Sequence, residues 1–196
     1  MSINLDIFFF EKLLNQIFNS LRLFIGRPNN MFFTALQEEV LMKKVLDTYI
    51  EYLFLSHFHP DHMGIAGQLA ELGIKIVVVD IQKDFVHFSD EIFVKEKNKS
   101  FIPIDDAKVI LISIDESRSF FEKLGIQGEI IETPGHSDDS VSIWLDDGML
   151  LVGDLNPLYE LPLHEGTQIA ATWNKLLKMR PNRIGYGHAK TAILEE

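Results

Sequence analysis

The chain has 196 residues, 46% hydrophobic and 24% charged, which suits one domain able to bury a sizeable core. Its 18 basic and 29 acidic side chains leave a net charge of −11, a field that repels polyanions and disfavours a general nucleic-acid binder. There is no cysteine, so disulfides and thiolate metal ligands are excluded and a reducing compartment fits.

The N-terminus lacks the basic start and small-residue cleavage site of a signal peptide. The apolar stretch that follows carries Asp6, Glu11, Lys12 and Arg22, too many charges for a membrane-spanning helix. A cytoplasmic location is therefore expected. Leu5, Phe9, Leu13, Ile17, Leu21 and Phe24 recur at helical spacing and predict an amphipathic helix over 5–25. Core packing is its ordinary use, with a dimer contact or a membrane-surface role as alternatives. After a break at 26–30, a second helix is predicted over 34–46.

Strands and helices then alternate. Residues 49–55 read as a buried strand, 65–72 as a short helix stopped by Gly73, and 74–79 as a strand covered on both faces. Strands are predicted at 109–114 and 129–132, separated by a helix at 117–124. Strands at 141–145 and 149–152 flank Asp146-Asp147-Gly148, a hairpin signal. A helix over 167–179 is closed off by Pro181, and 183–186 is the last strand. No linker or repeat divides the chain, so a single layered α/β domain over 1–196 is expected.

Three of the seven histidines fall within six residues, His57-Phe58-His59-Pro60-Asp61-His62, at the C-terminal mouth of the first predicted strand. In extended chain, residues two apart point the same way, so His57 and His59 can reach one ion together. Pro60 keeps His59 out of helical geometry, and the chain then turns so that Asp61 and His62 can address a neighbouring position. Imidazole and carboxylate are suited to zinc, iron or manganese. His136, Asp154 and His188 repeat the same placement, each just past a predicted strand and directly after a glycine. Taken singly each of these is an ordinary loop residue, but four strand ends converging on one edge make a joint site.

The run His57-x-His59-x-Asp61-His62, followed in order by His136, Asp154 and His188, resembles the metallo-β-lactamase-fold superfamily over roughly residues 50–190. The resemblance implies an αββα sandwich with two metal ions at one edge. It further implies His57, His59 and His136 at the first ion, Asp61, His62 and His188 at the second, and Asp154 bridging both. Zinc is the first expectation for the two divalent ions, with manganese or iron also suited. The expected chemistry is hydrolysis by a hydroxide shared between the ions, with Asp61 orienting it as the catalytic residue. The opening strands and Asp-Thr-Gly-like turn usual in this superfamily are absent, so residues 1–46 form an atypical helical region and the first sheet is expected to be shortened or altered. An incomplete edge there invites pairing with a second copy of the chain.

A small ester, thioester or lactone is the expected substrate, with residues 156–166 forming an apolar wall over the site. The alternatives are a metal-dependent phosphodiesterase or nuclease, and a catalytically impaired metal-binding domain. Tyr159 and Tyr186 are candidates for oxyanion stabilisation with ordinary packing as the alternative. His164 is a candidate for the substrate entrance, Ser140 for support of the His136 loop, and His87 for the surface.

Overall fold

A computed structural model describes residues 51–194 of the chain. The helices expected over 5–25 and 34–46, the altered N-terminal part of the first sheet, and residues 49 and 50 of the first expected strand lie outside the described residues. The described part holds two sheets. In the first, β1 (Tyr52–Phe54), β2 (Lys75–Val79) and β3 (Val109–Ile112) run parallel in that order. β2 is central, and its run Ile76-Val77-Val78-Val79 is buried throughout because both faces are covered.

The second sheet has five strands in chain order: β4 (Gly128–Glu132), β5 (Val141–Leu145), β6 (Met149–Leu151), β7 (Arg183–Gly185) and β8 (Ala192–Ile193). Its pairs are antiparallel except β6 with β7, which are parallel because a helix crosses between them. The hairpin signal at Asp146-Asp147-Gly148 joins β5 to β6, with Gly148 at φ +90°.

Five α-helices cover the sheets among the described residues. α1 (Pro60–Met63) and α2 (Ala66–Glu71) lie between β1 and β2, and α3 (Asp90–Lys95) between β2 and β3. α4 (Ser117–Lys123) leads into β4, and α5 (Gln168–Leu177) connects β6 to β7. Period-two alternation sorts the core into layers. Ile76 and Val78 pack outward with Phe58, Met63, Ala66, Ala70 and Phe93, beneath α1 to α3. Their neighbour Val79 packs inward with Phe121, Ile130 and Val141, between the two sheets. Ile131, next to Ile130, turns to the far face and meets Leu150, Trp173, Leu176 and Ile184 under α5. Helices, sheet, sheet and helix therefore stack as an αββα sandwich.

Several elements depart from expectation. The first strand is short, and β3 stops at Ile112 before a 3-10 turn over Ile114–Glu116. α1, α3, β8 and the 3-10 segments Asp80–Phe85 and Leu158–His164 have no counterpart in the periodicity. No helix among the described residues is long and apolar enough to cross a membrane.

Candidate metal centre

Phe58 is 1% exposed and turns into the core, so His57 and His59 on either side of it face the opposite way. His59 is extended at φ −72°, ψ 155°, as the residue before proline must be, and Pro60 opens α1 at the helical position where its missing N–H costs nothing. That single turn carries Asp61 and His62, and buried Met63 anchors it. His136, Asp154 and His188 follow β4, β6 and β7 at the same end of the sandwich.

The seven side chains form two groups, and in each the potential ligand atoms lie within 4.8 Å of one another. In the first group, His57 Nε2 and His136 Nε2 each lie 3.0 Å from His59 Nδ1. A ring nitrogen offers one proton or one lone pair, so His59 Nδ1 cannot fully serve both neighbours, whereas an enclosed cation would use all three lone pairs. In the second group, Asp154 Oδ2 lies 3.2 Å from both His62 Nε2 and His188 Nε2, and Asp61 Oδ2 lies 3.0 Å from His188 Nε2. Asp154 Oδ2 also comes within 3.7 Å of His136 Nε2, so one carboxylate faces both groups.

Burial first, then the neighbouring imidazole of His62, pushes His57 down to about 2, so it presents a neutral lone pair at ordinary pH. His136 is lowered as well, again chiefly by burial. For Asp154 burial alone would raise the pKa, but the imidazoles of His62, His188 and His57 outweigh it and hold the carboxyl below its usual range. His62 Nε2 and Asp154 Oδ1 are buried without a hydrogen-bond partner, the former because its short approach to Asp154 is poorly aligned. Native interiors seldom leave such atoms unpaired, and a divalent cation between them would engage both. The nitrogen and oxygen donors therefore fit divalent metals.

A hydrogen-bonded frame that the residue pattern did not reveal surrounds these donors. Ser56 Oγ lies 3.1 Å from His57 Nδ1 and 3.4 Å from His62 Nδ1, which turns the Nε2 atoms of both rings inward. Gln82, buried, donates to the carbonyls of Leu55 and Asp139. Asp139, also buried, accepts from the Phe58 N–H at 2.7 Å. A glutamine in a 3-10 segment and an aspartate in a turn give no signal of this, because their partners are main-chain atoms distant in sequence. Ser140 supports the His136 loop as expected, through bonds to the Ser137 N–H and hydroxyl.

The Tyr186 hydroxyl oxygen accepts from the Leu158 N–H at 3.0 Å and its ring packs near Trp173, so it holds a loop, the packing role given as its alternative. Tyr159 is 79% exposed, and His164, at the end of the 3-10 segment Leu158–His164, belongs to neither donor group. Residues 156–166 contain the 3-10 segment Leu158–His164, which with α5 borders an open hollow of about 530 Å³ lined by Leu158, Leu161, Pro162 and Ala170 among others. None of the seven donors lines that hollow. Gly187, expected to let the backbone come close, does so: its N–H bonds the Gly153 carbonyl at 2.6 Å. His87 is on the surface, between Asp90 at 2.8 Å and Asp106 at 3.1 Å.

A family model described as the metallo-beta-lactamase superfamily matches residues 37–188. The "Beta-lactamase-like protein 2 homolog" of Drosophila melanogaster is 27% identical over 154 residues, which are 75% of this chain and 47% of that protein. The "Metallo-beta-lactamase fold-containing protein ST1585" of Sulfurisphaera tokodaii is 24% identical over 174 residues, 75% of this chain and 64% of that one. The chain thus spans about half to two thirds of these relatives. Among solved structures, TTHA1623 in a di-iron-bound form superposes with a TM-score of 0.57 at 21% identity, over 80% of this chain and 79% of its own. The BLEG-1 B3 metallo-beta-lactamase gives 0.54 at 21% identity, over 79% and 78%.

Proposed function

The chain belongs to the metallo-beta-lactamase superfamily, and from that premise we propose that it is a hydrolase working through two divalent metal ions. The observation that carries this reading is the pair of donor groups joined through Asp154 Oδ2. His57, His59 and His136 would hold the first ion, Asp61, His62 and His188 the second, and Asp154 both. Zinc suits this nitrogen-rich set, with iron or manganese as close competitors. When bound, the ions would supply Lewis acidity toward an electrophilic carbonyl and a water acidic enough to act as nucleophile near neutral pH.

The chain's own residues do the rest. Asp61 is the more exposed of the two donor carboxylates, 45% open against 11% for Asp154, and stands at the rim where substrate arrives. It orients the attacking water and takes up its proton. His188 stands beside it, 42% exposed, with its Nε2 3.0 Å from the Asp61 Oδ2. His57 and His62, both buried, keep their Nε2 atoms inward through Ser56.

The substrate is a small ester, thioester or lactone. The charge of −11 supports this by disfavouring polyanionic substrates. The setting is cytoplasmic, supported by the lack of cysteine.

Elemental analysis of protein purified without chelator should find close to two equivalents of metal per chain. His59→Ala and Asp154→Ala should each abolish ester hydrolysis while leaving the circular dichroism spectrum unchanged. Wild-type turnover in either variant would refute the assignment. A faster rate on bis-p-nitrophenyl phosphate than on thioesters would move the substrate to phosphodiesters, and full metal loading without turnover of any panel would leave a metal-binding domain.

A further inference from the structure

We infer that Asp139 is a positioning residue that registers the loop carrying His57 and His59 against the loop carrying His136, so that the first metal cluster can form. The inference rests on the two-metal reading above. Asp139 is 2% exposed, and its Oδ2 accepts from the Phe58 N–H at 2.7 Å across 81 positions of sequence. Phe58 is the residue between His57 and His59, so its main chain sets where both imidazoles stand. The Phe58 carbonyl is held from the other side by the hydroxyl of buried Ser89, which donates to it at 2.6 Å. One residue's main chain is thus gripped at both its N–H and its C=O by side chains from two other parts of the fold.

The grip reaches His136 through a short stiff turn. Asp139 is three residues beyond His136, and the intervening turn is closed by Ser140 N–H to the Ser137 carbonyl and by the Ser137–Ser140 hydroxyl contact at 2.7 Å. Gln82 ties the same loops again, donating to the Asp139 carbonyl at 3.2 Å and the Leu55 carbonyl at 3.0 Å. The Val141 N–H adds a bond to the Ser56 carbonyl at 2.8 Å. A buried carboxylate is costly unless its oxygens are used, and the Phe58 N–H is the partner Asp139 has acquired. The second cluster is assembled differently. Asp61 and His62 ride on α1, anchored by Met63, and Asp154 and His188 follow adjacent strands β6 and β7. Release of the Phe58 N–H should therefore loosen the first cluster more than the second.

The test measures zinc affinity by chelator competition in two backgrounds: His188→Ala, in which the first cluster is left complete, and His136→Ala, in which the second is. Asp139→Ala should weaken binding by about tenfold or more in the first background, the effect usual for outer-shell partners, and by less than about threefold in the second. Asp139→Asn, whose amide oxygen can still accept from the Phe58 N–H, should restore affinity to within about threefold. Ser89→Ala, which frees the other side of the same residue, should reproduce the selective loss and serves where Asp139→Ala fails to fold. Equal losses in both backgrounds, no loss in either, or no rescue by asparagine would overturn the inference. Wild-type protein that binds no metal would instead refute the two-metal reading from which it starts.

Discussion

Asp154 reaches both donor groups because Gly153 before it takes φ +55°, a conformation that L side chains adopt only with strain. A Cβ at that position would also stand 2.5 Å from the Ser56 Cβ and 2.6 Å from its hydroxyl, the atom that orients His57 and His62. Gly153→Ala should therefore cost about 1–3 kcal/mol, read from the urea midpoint, and should lower metal occupancy at the same time. A stability loss with metal content untouched would mean that the Ser56 contact relaxes without consequence. The seven donors were legible because their spacing follows backbone periodicity and because each stands just past a strand. Asp139, Gln82 and Ser56 were not, since each is defined by main-chain or ring atoms that only the folded chain brings near. His87 makes a separate prediction. Its burial would lower its pKa, but hydrogen bonds to Asp90 and Asp106 outweigh this and raise it above 6.5. A raised histidine pKa stabilises the fold fully below the unfolded value and loses that contribution as pH climbs through the folded one. His87→Ala should hence lower the melting temperature at pH 5.5 and leave it nearly unchanged at pH 8.5. The side chain is 47% exposed, so the effect at acid pH should stay under about 1 kcal/mol.

Among the elements, α5 carries the most consequence for the site from outside it. Thr167 caps it by accepting from the Ala170 N–H, Thr172 donates to the Pro134 carbonyl, and Trp173 donates to the Asn156 carbonyl at 2.9 Å. The helix thus braces the loops of both His136 and Asp154 while burying Trp173 and Leu176 completely. Trp173→Ala should destabilise by about 3–5 kcal/mol in urea denaturation, a large share of the stability of an ordinary domain. A loss below about 1 kcal/mol would show that the cavity collapses around the missing ring. α5, β2 and the β5–β6 hairpin were readable in advance because each is long enough, or punctuated sharply enough, to display its period. α1 has four residues and β8 two, too few for a hydrophobic repeat to emerge. The N-terminal helices predicted from the same periodicity fall outside the described residues.

At the scale of the whole molecule, the donors come from both sheets, so a bound ion ties the two halves of the sandwich together. Ligands that bind only the folded state stabilise it by mass action, about 2.7 kcal/mol at a hundredfold excess over Kd. Treatment with EDTA should therefore lower the melting temperature by about 5 °C or more, and zinc should restore it. An identical melt with and without chelator would mean that the clusters hold no tightly bound metal. The order of the donors along the chain has a kinetic side. His57 stands after the first described strand and His188 after the seventh, so the second cluster closes a contact 127 residues long between Asp61 and His188. Contacts of such separation form late, after local helices and hairpins have already condensed. On the ribosome the three imidazoles of the first cluster can gather once the loop after β4, through Asp139, has emerged, while the second must wait for the loop after β7. The nascent chain would then pass through a stage able to hold one ion before it can hold two, and metal supply during synthesis would decide how quickly the sandwich locks.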